Sequence, residues 1–294
     1  MEHGQKNILY FAAALFVVAV WGETFVSSKI VIGNGLGPAE IFFYRFLIAY
    51  AGIWFFSPKK LWADSPGDEG ISALLGITGG SLYFLAENTA LLYSTASNVA
   101  ILVCCAPLLT ALMVSILYRE ERMHARQVLG SVLAFFGMAM VVLNGKLILR
   151  LNPAGDLLAL AAALLWSIYS LLYKRISNRY DVTFITRKVF AYGLLTILPY
   201  IFFVQPFEKD LSVLARPAVW GNLLYLGLVA SLLCFILWNR VLVKLGTVRT
   251  TNLLYAQPLF TMLAGFVALH ERITWMAVSG TFLVILGTMR ASRK

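Results

Sequence analysis

The chain has 294 residues, of which 60% are hydrophobic and 13% charged, and its mean hydropathy is +0.79. A soluble domain carries about 25% charge and 45–50% apolar residues, so this composition excludes a water-facing globular fold. The net charge of +10 does not signal nucleic acid, because the basic residues sit mostly in short breaks between apolar runs, with no basic face and interleaved aromatics outside them. It fits charge held at the cytoplasmic edge of a membrane.

The first apolar run, I-L-Y-F-A-A-A-L-F-V-V-A-V-W from Ile8 to Trp21, continues too far for a signal-peptide core and has no small-residue cleavage site behind it. It is expected to stay as the first span. A spanning helix needs about 20 mostly apolar residues, and ten stretches qualify in chain order: 8–32, 39–57, 70–92, 96–117, 125–144, 154–173, 183–204, 218–239, 248–269 and 274–290. They are too long and continuous for the alternating segments of a β-barrel, which run to about 10 residues. The expected class is therefore an all-α integral membrane protein of ten transmembrane helices.

Ten spans put both termini on one side. With that side cytoplasmic, the inner segments hold Lys6, Lys59, Lys60, Arg119, Arg122, Arg126, Lys174, Arg175, Arg179, Arg240, Lys244, Arg249, Arg290, Arg293 and Lys294. The outer segments hold only Lys29, Lys146, Arg150, Lys209, Arg216 and Arg272. This excess predicts cytoplasmic termini.

The chain also repeats itself. At an offset of 151, Leu75, Gly76, Phe84, Asn88, Pro107, Thr110 and Glu120 meet Leu226, Gly227, Phe235, Asn239, Pro258, Thr261 and Glu271. At an offset of 150, Gly130 and Gly137 meet Gly280 and Gly287. Trp21 and Lys29 share a spacing of eight with Trp166 and Lys174, and R-x-x-x-A-Y recurs at Arg45–Tyr50 and Arg187–Tyr192. The reading is two units, 1–146 and 147–294, each of five spans. Because five is odd, the second unit enters from the opposite side, giving an inverted repeat. That is a common build of secondary transporters, with substrate bound near the midplane.

The residues that carry the repeat also carry a resemblance. W-G-x-x-F-x-x-x-K in the first span, R-F-x-x-A-Y in the second, N-x-A-L-x-Y-x-x-A-S-N-x-A-x-L-x-x-x-x-P-L-L-T-A-L at 88–112 and the E-R and paired-glycine ending of each half resemble the EamA family of the drug/metabolite transporter superfamily. The resemblance covers nearly the whole chain. It implies ten helices with both termini inside, a plasma-membrane location, and export of amino acids, related metabolites or drugs.

Glu23 interrupts an otherwise uncharged run. A mid-bilayer charge costs about 2.5–3.5 kcal/mol on insertion scales, so it usually faces a cavity or a partner. Counting 1.5 Å per residue from the outer face puts Glu23, Arg45 and Glu87 roughly 13, 9 and 8 Å deep. They could meet as a polar pocket, with Arg45 neutralising one carboxylate and the other taking a substrate amine or a proton. They could equally form a structural Glu–Arg pair between spans. The second half has Ile168 and Trp238 where the first has Glu23 and Glu87.

Trp21, Tyr83, Trp166, Tyr169 and Tyr255 lie within spans and suit a flat or amphipathic substrate. Tyr255 and Gln257, beside Pro258, are the second half's best cavity contacts. Pro107 and Pro258 each remove a backbone donor mid-span and are candidate hinges, or static kinks. Gly76–Gly80 and the glycines seven apart fit close helix packing. Glu120, Glu121 and Glu271 fit solvated loop pairs or gate contacts. Cys104, Cys105 and Cys234 lie in apolar runs and read as packing residues, so no disulfide, metal or cofactor is expected.

No G-x-x-x-x-G-K-[ST] loop is present, so energy would come from a proton gradient or the substrate's own gradient. The expected partners are a small-molecule substrate and the lipid bilayer, joined by protons in the case where a proton gradient supplies the energy. The rival class is a membrane-embedded enzyme acting on a lipid or lipid-linked substrate. It would need an acidic metal cluster or a nucleophile with its base, and the only acidic cluster, Asp64, Asp68 and Glu69, sits in a Pro/Gly loop with no matching His.

Overall fold

A computed structural model describes residues 2–57, 59–94, 96–117, 125–143, 152–208, 210, 212–260 and 274–292. Among them the secondary structure is helical, with no strand. In chain order the helices are α1 (Glu2–Gly33), α2 (Pro38–Ile53), α3 (Pro66–Gly76), α4 (Leu82–Tyr93), α5 (Ala96–Val103), α6 (Ala106–Leu117), α7 (Ala125–Leu143), α8 (Pro153–Ile176), α9 (Val182–Phe203), α10 (Ser212–Ala215), α11 (Pro217–Leu224), α12 (Cys234–Leu245), α13 (Thr247–Asn252) and α14 (Trp275–Ser292). Two π-helical segments, Ile77–Ser81 and Tyr225–Leu233, join α3 to α4 and α11 to α12.

The starts of these helices are written locally. Proline at the first helical turn wastes no hydrogen bond, since that N–H has no intrahelical partner. Pro38, Pro66, Pro153 and Pro217 all sit there. Ser65 accepts from the Asp68 amide at 3.1 Å, and Asn152 from the Gly155 amide at 3.2 Å. α12 ends at Gly246, whose φ of 86° lies in the left-handed region that favours glycine.

Among the described residues, seven helical stretches are long and apolar enough to cross a membrane: Ile8–Gly33, Pro66–Tyr93, Asn98–Leu117, Ala125–Leu143, Pro153–Ile176, Val182–Phe203 and Pro217–Leu245. Of the remaining expected spans, 39–57 corresponds to α2, which stops at Ile53 after 16 residues. The span at 274–290 corresponds to α14. The one at 248–269 runs into residues 261–273, outside the described set. Glu120, Glu121, Glu271 and the unit boundary at 146/147 also lie outside it.

The expected span 96–117 is one stretch in two pieces. α5 ends at Val103 and α6 begins at Ala106, leaving a turn at Cys104 and Cys105 one turn before Pro107. There the Cys105 amide reaches only the Leu102 carbonyl, three residues back. Proline's missing N–H and ring bulk account for such a break. Just before Pro258, residues Leu253–Ala256 tighten into a 3-10 turn.

The exterior is apolar. Ile8, Phe16, Leu112, Phe136, Leu157, Leu195, Trp220 and Phe282 are all exposed. A water-soluble monomer rarely exposes so much contiguous apolar surface; lipid accepts it. The interior holds an aromatic cluster in which Phe46 meets Phe42, Phe84, Phe190 and Phe235 with ring centroids 4.3 to 5.8 Å apart. Close approach around it depends on glycine: a Cβ on Gly76 would sit 2.5 Å from Tyr192 Cβ, and one on Gly80 3.3 Å from Gly193 Cα. α7 and α14 pack antiparallel, with Gly130 against Gly287 and Gly137 against Gly280.

Candidate functional site

α2 runs between two polar clamps and carries Arg45 in its middle. At its start, Glu40 Oε2 accepts from the Gly37 amide at 2.9 Å and Glu40 Oε1 from the Glu208 amide at 2.7 Å, while Gln205 accepts from the Ala39 amide at 3.3 Å. The segment before α11 is thereby pinned over the α2 N-terminus.

Beyond the other end of α2 lies a denser network. Lys188 Nζ pairs with Glu69 Oε1 at 2.5 Å, and Tyr192 also donates to that carboxylate. Arg179 pairs with Asp68 at 2.6 Å, Tyr180 donates to Asp68 at 3.0 Å, and the Asp64 amide donates to the Tyr180 hydroxyl at 2.7 Å. Arg187 donates to the Lys60 carbonyl and lies 4.5 Å from the Trp54 ring, while Lys188 lies 4.6 Å from that of Trp62. Every pair joins residues 54–69 to residues 179–192. Asp68 and Glu69 therefore belong to the first turn of α3 rather than to the preceding loop, and their partners are basic residues of the other half. Outside the spans, Lys60's hydrogen bond holds the Asp64 carboxyl below its ordinary value.

Between the clamps is a cavity of about 40 Å³, measured as space for the centres of water-sized molecules. At about 10–15 Å³ per water on that measure it holds a few waters. Trp21, Arg45, Tyr83, Glu87, Trp166 and Gln257 line it, six of the residues expected from sequence. Thr24, Phe84, Val103, Cys104, Ala106, Leu254 and Phe235 complete the wall. Phe84 and Phe235 coincide at the offset of 151, a signal that could have placed them here. Nothing in the sequence distinguished Thr24 or Cys104.

Both charges on the wall are buried, Arg45 at 1% and Glu87 at 5% exposure. Arg45 Nε donates to Ser231 Oγ at 2.9 Å, its Cζ lies 4.2 Å from the Phe84 ring centroid, and Nη1 has no hydrogen-bond partner. Tyr83 donates to Glu87 Oε1 at 2.7 Å. Direct ion pairs lie elsewhere, among them Lys60–Asp64, Arg179–Asp68 and Lys188–Glu69. A buried guanidinium and carboxylate facing one cavity are costly unless something compensates them, and the arrangement offers both signs to a bound molecule.

The aromatic wall is built edge to face. Trp21 and Trp166 meet at 5.3 Å and 89°, and Tyr83 lies 5.1 Å from Trp166. Trp21 Nε1 donates to the Ala230 carbonyl at 2.9 Å, whereas Trp166 Nε1 has no partner. Trp238, which replaces Glu87 in the second half, packs on Trp21 at 5.0 Å.

Three expected residues stand off the cavity. Glu23 is half-buried on a different face of α1 and is an electrostatic neighbour of Tyr225. Tyr169 backs Trp166 at 5.1 Å and donates to Asn239 at 2.8 Å. Tyr255 is fully buried against Cys104, Met138 and Val284. The depth argument placed Arg45 and Glu87 at similar depth, and both line this cavity, but it left out which side of α1 Glu23 occupies.

The chain is 27% identical over 94% of its length to an uncharacterized transporter of Archaeoglobus fulgidus, covering 94% of that protein. It is 28% identical to the "Probable amino-acid metabolite efflux pump" of Escherichia coli, covering 93% of this chain and 91% of the relative. It is 25% identical to the "Probable terminal-alkyne amino-acid exporter" of Streptantibioticus cattleyicolor, at 96% and 93% coverage. A crystal structure with 20% identity shares the fold, with a TM-score of 0.72 over 96% of both chains. Residues 8–143 and 153–293 each match the EamA-like transporter family, and this chain, a multi-pass membrane protein, belongs to that family.

Proposed function

We propose that the protein is a secondary active exporter of amino-acid-like metabolites, working by alternating access between two inverted five-span halves. The observation that carries this is that buried Arg45 and Glu87 both line one small cavity walled by Trp21, Trp166 and Tyr83. A carboxylate suits Arg45, an ammonium suits Glu87, and the aromatic wall suits an apolar side chain. Relatives named as an amino-acid metabolite efflux pump and an amino-acid exporter favour the same substrate class, and favour transport over lipid chemistry.

The inverted repeat finds support in paired features. The π-helical segment Ile77–Ser81, shifted by 151, falls within the second, Tyr225–Leu233. The glycine contacts of α7 and α14 exchange with one another under the same duplication. In this reading ten spans carry both termini to the cytoplasmic side of the plasma membrane, and Pro107 and Pro258 are hinges where helical regularity is already broken. The cavity holds only a few waters, so an amino acid enters when the walls move apart. Glu23, Tyr169 and Tyr255 then support the site from behind or serve a step the closed cavity does not display, such as proton passage.

The test is efflux from cells loaded with a labelled panel of amino acids and drugs, with and without a protonophore. Glu87→Gln is expected to abolish a specific efflux at normal membrane expression, and Glu23→Gln to retain it within about threefold. The lost charge-assisted bond, about 1.5–3 kcal/mol, corresponds to roughly 10- to 150-fold in affinity. Equal efflux by wild type and Glu87→Gln overturns the site. Protonophore sensitivity distinguishes proton coupling from movement down the substrate's own gradient.

A further inference from the structure

The π-helical segment Tyr225–Leu233 of the second half reaches across to the cavity residues of the first. Gly227 lets it lie directly on α2: a Cβ there would sit 2.7 Å from Ile48 Cβ and 3.2 Å from the Arg45 carbonyl oxygen. From that seat Tyr225 donates to the Val20 carbonyl at 2.8 Å, the Ala230 carbonyl accepts from Trp21 Nε1 at 2.9 Å, and Ser231 Oγ accepts from Arg45 Nε at 2.9 Å. A π-turn inserts one residue into a helical turn and re-aims its neighbours, which is why such turns recur at functional sites. Here consecutive residues, Ala230 and Ser231, hold two different side chains of the cavity wall.

A guanidinium is planar, so two restraints fix it. Ser231 holds the Nε edge, and Phe84 lies 4.2 Å from Cζ. Ser231 is fully buried and Arg45 nearly so. Nη1 is buried and without a hydrogen-bond partner, on a residue that lines the cavity. We infer that Ser231 is a positioning residue: it turns the Arg45 guanidinium so that Nη1 is offered to the substrate carboxylate, and so sets the preference for carboxylate-bearing over carboxylate-free substrates. This rests on the reading of the cavity as the substrate site.

The experiment uses the purified full chain in lipid nanodiscs, with binding read from tryptophan fluorescence. The probes are L-phenylalanine, matched to the aromatic wall, and L-phenylalaninamide, which keeps the amine and ring but masks the carboxylate. Wild type is expected to prefer the acid by tenfold or more. Ser231→Ala lowers affinity for the acid about tenfold and leaves the amide unchanged, Ser231→Thr restores the preference, and Arg45→Gln removes it.

Ser231→Ala weakening both probes equally, or neither, overturns the positioning role while leaving the cavity as the substrate site. Wild type binding both probes equally shows that Arg45 does not select a carboxylate and overturns the inference alone. Wild type binding neither overturns both readings. If Ser231→Ala fails to fold, Ser231→Cys, which keeps a weak acceptor, decides by the same ratio of acid to amide.

Discussion

Gly137 of α7 and Gly280 of α14 meet backbone to backbone: a Cβ on Gly137 would lie 2.6 Å from the Gly280 carbonyl oxygen, and one on Gly280 2.5 Å from that of Gly137. Backbone cannot yield as a flexible side chain does, so even alanine must push the two helices apart. Overpacking of this kind costs about 1–3 kcal/mol. Gly137→Ala is expected to lower the detergent-solubilised melting temperature, whereas Gly221→Ala, with no heavy atom within 4 Å of its new Cβ, should not lower it by a steric clash. Equal melting of Gly137→Ala and wild type would show that the helices separate freely.

The Lys188–Glu69 pair ties the two halves together beyond the end of α2 remote from Pro38. Lys188→Ala removes the ammonium partner of the Glu69 carboxylate, which also takes hydrogen bonds from Tyr192 and the Ala63 amide. A hydrogen bond to a charged group contributes about 1.5–3 kcal/mol, enough to shift this end roughly 10- to 150-fold toward an open arrangement. The expected result is faster labelling of a cysteine placed at Ala63 by a membrane-impermeant maleimide, with Glu69→Gln behaving alike. Unchanged labelling in both variants would remove the pair from any gate.

Asp181 caps α9, its carboxylate accepting from the Thr183 amide at 2.8 Å and from the Thr183 hydroxyl. Burial pushes its pKa up, but the Thr183 hydroxyl and the backbone amides prevail and hold it below the ordinary 3.8. A depressed carboxylate contributes stability above its unfolded value, and that stability is lost as pH falls through the folded one. An N-cap contributes about 1 kcal/mol. Between pH 5 and 3, wild type should therefore lose melting temperature more steeply than Asp181→Asn, which keeps an acceptor but does not titrate. Parallel curves would rule this titration out.

Much of the site was legible because membrane sequence makes charge conspicuous. Arg45 and Glu87 stood out as ionisable groups inside apolar runs, and counting rise per residue placed them at similar depth. Glu23 stood out on the same ground, yet lies off the cavity, since depth says nothing about azimuth around a helix. Tyr169 and Tyr255 were legible as aromatic and intramembrane, but a side chain behind a wall and one in it share the same sequence signature. Phe84 and Phe235 were visible only as matched positions, and Ser231 not at all, because a serine in a span most often bonds its own helix.

The sequence by itself determined the solvent and the class. Its apolar runs require lipid and helices, and its proline and capping residues set the helix starts. Tertiary structure decided which helical faces meet. It turned Arg45 and Glu87 to one cavity, tied Asp68 and Glu69 to Arg179 and Lys188 of the other half, and seated Ser231 on Arg45 from 186 residues away. Periodicity and depth are local and follow from residue order. Rotation about each helix axis is set by packing between distant segments, and no single stretch of chain contains it.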